Sequence, residues 1–323
     1  MDDVATAPPE PTDGYDWGAR SPRWAGVHSE WGWLGDTRVH LLRAAAAPGA
    51  PPDAPAQILL HPLGTGAWSW LEVMRPLTAY GPVMAPDLPG SGHTRPAHRR
   101  FASADHCARF VTQLMATRGL ERVTLHGHSM GGLVAVLVAD LAPRSVRRLV
   151  LTAAPLPGRP DRRGTGFGYR VALAAGQPVA RVLMRVGLRS KVARARRWLV
   201  EPDTPPARRA LAGTDLTAFS PEFRRLLAEE LLRLRLSWRA DGALAGITAA
   251  FSALTVRQAE VRAVIDRLTV PTLFLWGERD RFIPRELVDE LVALRPDWRL
   301  EVLPTGHLVT WEVPDRYVAA VGP

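Results

Sequence analysis

The stretch Val123-Thr124-Leu125-His126-Gly127-His128-Ser129-Met130-Gly131-Gly132, which continues as an apolar run to Leu141, decides the fold. Arg122–His126 reads as a short buried strand and Met130–Leu141 as an almost wholly apolar helix. Between them, Gly127-His128-Ser129-Met130-Gly131 matches G-x-S-x-G, the pattern of a tight strand-to-helix turn with an exposed serine. Such a turn forces the serine into strained backbone angles, and glycines on either side give neighbouring chains room. The serine oxygen then stands above the sheet at a helix N-terminus, where the helix dipole favours developing negative charge.

Working outward, Val27–Leu34 and Thr37–Ala44 read as strands joined by the hairpin turn Gly35-Asp36. Gln57–His61, Val83–Pro86, Arg148–Leu151, Pro271–Trp276 and Trp298–Leu303 read as further strands. Trp68–Tyr80, Ser103–Arg118, Pro284–Leu294 and Pro314–Val321 carry helical spacing. Strands alternating with helices predict an α/β protein, its mostly parallel sheet covered by helices on both faces. About 120 helix-like residues separate the strand near Thr152 from the one at Thr272, where a crossover needs only about a dozen. The excess predicts an inserted helical cap. The expected organisation is a flexible tail over 1–24, a core in two parts over 25–155 and 240–323, and the cap over 156–239.

Composition narrows the function classes. The chain has 323 residues, 46% of them apolar and 23% charged, and no apolar run long enough for a membrane span. Its single cysteine, Cys107, can form neither an internal disulfide nor a cysteine-built metal site, and the nine histidines show no metal-type spacing. Gly164-x-Gly166-x-Gly168 follows no strand and is no dinucleotide fingerprint. No cofactor and no metal are expected. The acidic, Pro-rich start is no secretory signal, and together with the lone cysteine it points to a cytoplasmic protein.

A nucleophilic serine needs a base, and the base needs an orienting carboxylate. Asp280 follows the strand ending at Trp276, His307 follows the strand ending at Leu303, and both leave the sheet at the edge that carries Ser129. Glu278, two residues from Asp280, is the rival carboxylate. The oxyanion of an acyl transfer would be met by the backbone N–H of Met130 and, since Pro62 has none, by that of Leu63 in His61-Pro62-Leu63-Gly64-Thr65-Gly66.

These spaced motifs resemble the α/β-hydrolase superfamily from about residue 25 onward. His61-Pro62 stands where its members usually have His-Gly, and Asp87-Leu88-Pro89-Gly90-Ser91-Gly92 is similar to the loop after their fourth strand. Trp276 to Pro284 matches Trp-Gly-x-x-Asp-x-x-x-Pro, and Gly306-His307 matches the final Gly-His. The resemblance implies an α/β-hydrolase fold with catalytic Ser129, Asp280 and His307, acting on an ester, lactone or thioester through an acyl-enzyme. Dehalogenases and epoxide hydrolases of this fold place an aspartate at the elbow, where this chain has serine. Carbon–carbon hydrolases of vinylogous diketones share the Ser-Met-Gly-Gly elbow, Trp-Gly-x-x-Asp-Arg-Phe, and Gly-His-x-x-x-Trp-Glu, met here by Trp276–Phe282 and Gly306–Glu312. Against that, His128 replaces the asparagine common before their serine. Cofactor-free peroxidase-type relatives share the Ser-Met elbow. Non-catalytic binding proteins of the fold lack a triad member, and none is missing here. His61, His128, Trp68, Trp198 and Trp238 are the candidate pocket residues; packing of the elbow or of the cap is the alternative for each.

The partner expected is a small-molecule substrate. The net charge is +9, with Lys191 the only lysine among 41 basic residues. Between Pro155 and Ala210 stand thirteen basic residues against Asp161, Glu201 and Asp203, a surplus of ten, so the rest of the chain carries −1. Arg181, Arg185 and Arg189 repeat at helical spacing beside an apolar face. Concentration of the charge in the cap argues against nucleic acid. A solvated cap surface is the first reading of it; the sharper one is attraction of an anionic substrate or a carrier-bound acyl group, with peripheral membrane contact as a weaker alternative.

Overall fold

The computed structural model describes residues 10–95, 103–158, 213–236 and 257–322. Eight strands form one sheet: β1 (His28–Leu34), β2 (Thr37–Ala44), β3 (Gln57–Leu60), β4 (Val83–Pro86), β5 (Val123–His128), β6 (Val146–Thr152), β7 (Thr272–Gly277) and β8 (Arg299–Leu303). Their order is β1-β2-β4-β3-β5-β6-β7-β8. β2 pairs antiparallel with β1 and β4, and every pairing from β4 to β8 is parallel.

The apolar strand runs divide their side chains between two cores, because successive residues of a strand point to opposite faces. Ile58 and Leu60, Leu149 and Leu151, Phe274 and Trp276 enter one core; Leu59, Val150, Leu273 and Leu275 enter the other. The first core is closed by α2 (Ala104–Thr117), α3 (Met130–Leu141), α5 (Gln258–Arg267) and α6 (Arg285–Leu294). The second is closed by α1 (Leu71–Leu77), α4 (Pro221–Leu236), α7 (Val309–Glu312) and α8 (Pro314–Val321). Cys107 is a buried, free thiol in the first core, its pKa pushed up to about 12 by burial and by Asp105.

Three departures from the sequence expectation have local causes. The helix expected over Trp68–Tyr80 is broken into a 3-10 turn at Ala67–Trp70, α1, and a second 3-10 turn at Thr78–Tyr80. Pro76, lacking an N–H, sits where α1 gives way. β5 runs two residues further than expected, to His128, because its pairing with β6 continues to His128↔Thr152. The tail expected over 1–24 is shorter, since Trp17 and Trp24 are buried in the second core. The Trp24 indole donates to Glu72 Oε1 at 2.8 Å, and its body fills a site under α1.

Of the stretch 156–239, the described residues are 156–158 and 213–236. Leu156 belongs to the first core, and Leu216, Phe219, Phe223 and Leu226 to the second. Burying a side chain such as Phe223 is worth roughly 1.5–3 kcal/mol, so the chain from Leu216 onward is held by the core itself. Arg20 Nη2 donates to both carboxylate oxygens of Glu229, at 2.6 and 2.7 Å, and ties α4 to the N-terminal turns. Among the described residues no helix is long and apolar enough to cross a membrane.

Candidate active site

β5 ends at His128 and α3 begins at Met130, so a single residue, Ser129, makes the turn with φ 52° and ψ −120°. A positive φ is rare outside glycine and costs of order 1–3 kcal/mol. Two bonds hold it: Ser129 N donates to Thr152 O and Gly132 N donates to Ser129 O, both at 2.8 Å. Close approach explains the flanking glycines. A Cβ at Gly127 would fall on Gly131 O, and one at Gly131 on Leu60 O, driving α3 off the sheet.

The loops after β7 and β8 supply the other two residues. His307 Nδ1 donates to Asp280 Oδ2 at 2.8 Å, with both side chains almost wholly shielded from solvent. The second oxygen, Oδ1, accepts from Phe282 N at 2.7 Å and Ile283 N at 3.1 Å, so the carboxylate is fixed in plane and in rotamer. Glu278, the rival, is half-exposed and lies 3.7 Å from Arg279. The exposed Phe282 ring stands edge-on to His307 with centroids 5.0 Å apart.

Met130 is buried at the start of α3, and Leu63 is half-buried in the loop after β3. That loop is braced from inside. His61 accepts from Leu88 N through Nε2 at 3.0 Å, which puts its proton on Nδ1, bonded to Pro62 O at 2.9 Å. Burial pushes the His61 pKa down, with Asp87 opposing. His61 is fully buried and joins two loops. His128 is a second brace: its Nε2 donates to the carbonyl of His307 at 2.9 Å. Burial, then the charge of His307, lowers its pKa to about 3. Trp68 is buried against Phe223 and Trp311, with ring centroids 5.9 and 5.8 Å away. Trp198 and Trp238, like Arg181, Arg185 and Arg189, lie outside the described residues.

Two carboxylates near the site went unremarked in the sequence. Glu312 Oε2 accepts from Thr305 Oγ1 at 2.7 Å and Gly306 N at 3.0 Å, and its other oxygen pairs with Arg279, pinning the histidine loop. Asp87 accepts from Ala67 N at 2.6 Å, His93 N at 2.7 Å and His40 Nδ1 at 2.7 Å, tying the loop after β3 to β2 and β4. Burial alone would raise its pKa, yet His40, His93 and His61 together hold it well below the usual carboxylate range. Both lie inside quoted motifs, Gly-His-x-x-x-Trp-Glu and Asp-Leu-Pro-Gly-Ser-Gly, and that was the available signal. Among the described residues no three His, Cys, Asp or Glu side chains are grouped to hold a metal ion.

Residues 57–320 match the model of the alpha/beta hydrolase family. The chain belongs to that family. It is 27% identical, over 86% of its length and 88% of the relative's, to a 2-hydroxy-6-oxononadienedioate/2-hydroxy-6-oxononatrienedioate hydrolase of Cupriavidus pinatubonensis strain JMP 134. Epoxide hydrolase 4 of mouse is 25% identical over 81% of this chain and 70% of its own. Among solved structures, Cfl2 of Burkholderia cenocepacia superposes with a TM-score of 0.69 at 22% identity, covering 93% of this chain and 96% of that one. This alpha/beta hydrolase thus shares its fold with members whose names describe different reactions, and the site must be read from its own residues.

Proposed function

We propose that the protein is a serine hydrolase that cleaves a carboxylic ester, thioester or lactone of a small molecule through an acyl-enzyme on Ser129. The buried bond from His307 Nδ1 to Asp280 carries this reading. It keeps the proton on Nδ1 and leaves Nε2 as the basic nitrogen. Nε2 takes the hydroxyl proton as Ser129 Oγ attacks the carbonyl carbon, and the N–H groups of Met130 and Leu63 meet the oxyanion. On collapse the carbon–oxygen or carbon–sulfur bond breaks and His307 gives its proton to the leaving group. Water, deprotonated by the same nitrogen, then releases the acid and restores the serine. Asp280, held by two further N–H donors, orients the imidazole and stabilises the imidazolium.

The test is a fluorophosphonate probe followed by intact-mass measurement. One adduct is expected on the parent chain and none on Ser129→Ala; labelling that persists in the variant overturns the nucleophile assignment. A panel of acyl lengths, lactones and thioesters then sorts the substrate class.

The second reading is hydrolysis of the carbon–carbon bond of a vinylogous diketone. The Cupriavidus relative, aligned over most of both chains, favours it. Turnover of such a diketone with none of the esters would replace the first reading by this one.

A further inference from the structure

Three consecutive backbone groups surround the imidazole of His307, and each is held by a different part of the chain. Gly306 N–H goes to Glu312 of α7, the His307 carbonyl accepts from His128 of β5, and Leu308 N–H goes to Thr214 Oγ1 at 3.2 Å. Thr214 lies far from both β7 and β8 in sequence, and no motif pointed to it. It is wholly buried. The backbone at 213–214 is wedged between the loops that carry Asp280 and His307. Gly213 has φ +82°, and a Cβ there would fall on Arg279 O, one residue before Asp280. A Cβ at Gly306 would fall on Thr214 N. Neither contact leaves room for a side chain, so the fit depends on both glycines.

We propose that Thr214 is a positioning residue for His307, setting the height of the imidazole through the peptide that follows it. The wedge does not stand alone. Asp215 caps the turn Leu216–Ala218 by accepting from Thr217 N at 2.9 Å. Phe219 and Phe223 then lock the segment against Trp68, beside the oxyanion loop, and Trp311, beside the histidine loop. The Trp311 indole in turn donates to Ser69 O at 2.8 Å. Residues 213–223 therefore touch the loop that would move the proton, and through Trp68 the turn that follows the loop that would meet the oxyanion. Without the hydroxyl, Leu308 N–H is buried with no acceptor, and its peptide must turn to find one. His307 turns with it. The substrate's own contacts are untouched, so the effect falls on kcat rather than KM.

This inference rests on the serine-hydrolase reading, and the experiment separates the two. Thr214→Val, Thr214→Ala and Thr214→Ser are compared with the parent on p-nitrophenyl butyrate, with melting curves and the downfield proton resonance of the His307–Asp280 bond. Val and Ala are expected to lower kcat about tenfold with KM within about twofold, and to shift or broaden the resonance, while Ser keeps both near the parent. The Ala variant, which removes the acceptor without crowding, decides the matter if the Val variant does not fold. Parent-like kcat in Val or Ala, a Ser variant as slow as Ala, or a loss matched by the unfolded fraction with the resonance unmoved, overturns the role of Thr214. A parent chain that takes no fluorophosphonate and shows no downfield resonance fails the underlying reading instead.

Discussion

At the residue scale, Ser129 shows how a site can be stored as strain. Its left-handed φ of 52° is the conformation glycine adopts freely and L side chains avoid. Alanine at 129 keeps the strain and loses only the hydroxyl; glycine loses both. Ser129→Gly should therefore unfold at higher denaturant than Ser129→Ala, by about 1–3 kcal/mol, with both inactive. Equal midpoints in chemical denaturation would mean the turn is not strained. The serine was legible in the sequence because the turn itself demands the flanking glycines. The Trp-Gly-x-x-Asp match favours Asp280 over Glu278, but why the loop turns that carboxylate inward was not legible. The backbone decides that: Phe282 N and Ile283 N converge on Asp280, and Glu278 is left to Arg279.

Buried histidines give the same scale a pH dependence. His126 bridges Tyr317 Oη at 2.7 Å and Gln57 Oε1 at 2.9 Å in the middle of the sheet. Burial, then Arg148, lowers its pKa to about 3, as burial does for His128. The unfolded chain binds a proton at each of these below about pH 6.5, and the folded chain does not until about pH 3. Stability from this source is complete above pH 6.5 and is lost as pH falls through that window, by about 1.4 kcal/mol per pH unit for each histidine. Unfolding free energies measured at pH 6 and pH 5 should differ by at least that slope. A flat profile would show that both imidazoles are charged in the fold.

At the element scale, the loops of the site are clamped by carboxylates that belong to other elements. Asp87 is the densest of these clamps, taking two backbone N–H groups and the His40 ring within 2.7 Å. Removing the carboxylate strands these buried donors, at roughly 1–3 kcal/mol for a group left without its acceptor. Asp87→Ala should lose about that much in denaturant unfolding. On the proposed reading it should also lose turnover in the folded fraction, because Ala67 N and the loop after β3 lose their tether. A variant with parent-like stability would show that the clamp carries no weight. The strands around these loops were readable because each is a short apolar run bounded by turns. The breakdown of the first helix is written in the sequence as well, at Pro76. Residues 213–223 were opaque for a different reason. Their role comes from which loops they wedge apart, and neither periodicity nor composition encodes a contact between positions some 90 residues distant, such as Thr214 and Leu308.

At the scale of the whole molecule, the charge is the feature that most separates one part of the chain from the rest. Residues 155–210 hold a surplus of ten positive charges and follow β6, whose last residue, Thr152, pairs with His128 beside Ser129. The chain is back at the site by Gly213, against the Asp280 loop. Ten surplus positive charges in so short a stretch raise the local concentration of anions. An anionic substrate is then drawn in, and a neutral one of the same shape is not. Raising ionic strength from about 0.01 M to about 1 M shrinks the Debye length from about 30 Å to about 3 Å and removes that attraction. The kcat/KM of a carboxylate-bearing ester should fall several-fold across this range, while that of its neutral methyl analogue stays within about twofold. The loss should sit in KM, because screening changes encounter and not the chemistry at Ser129. Parallel salt profiles for the two esters would mean that the arginines act on something other than the substrate.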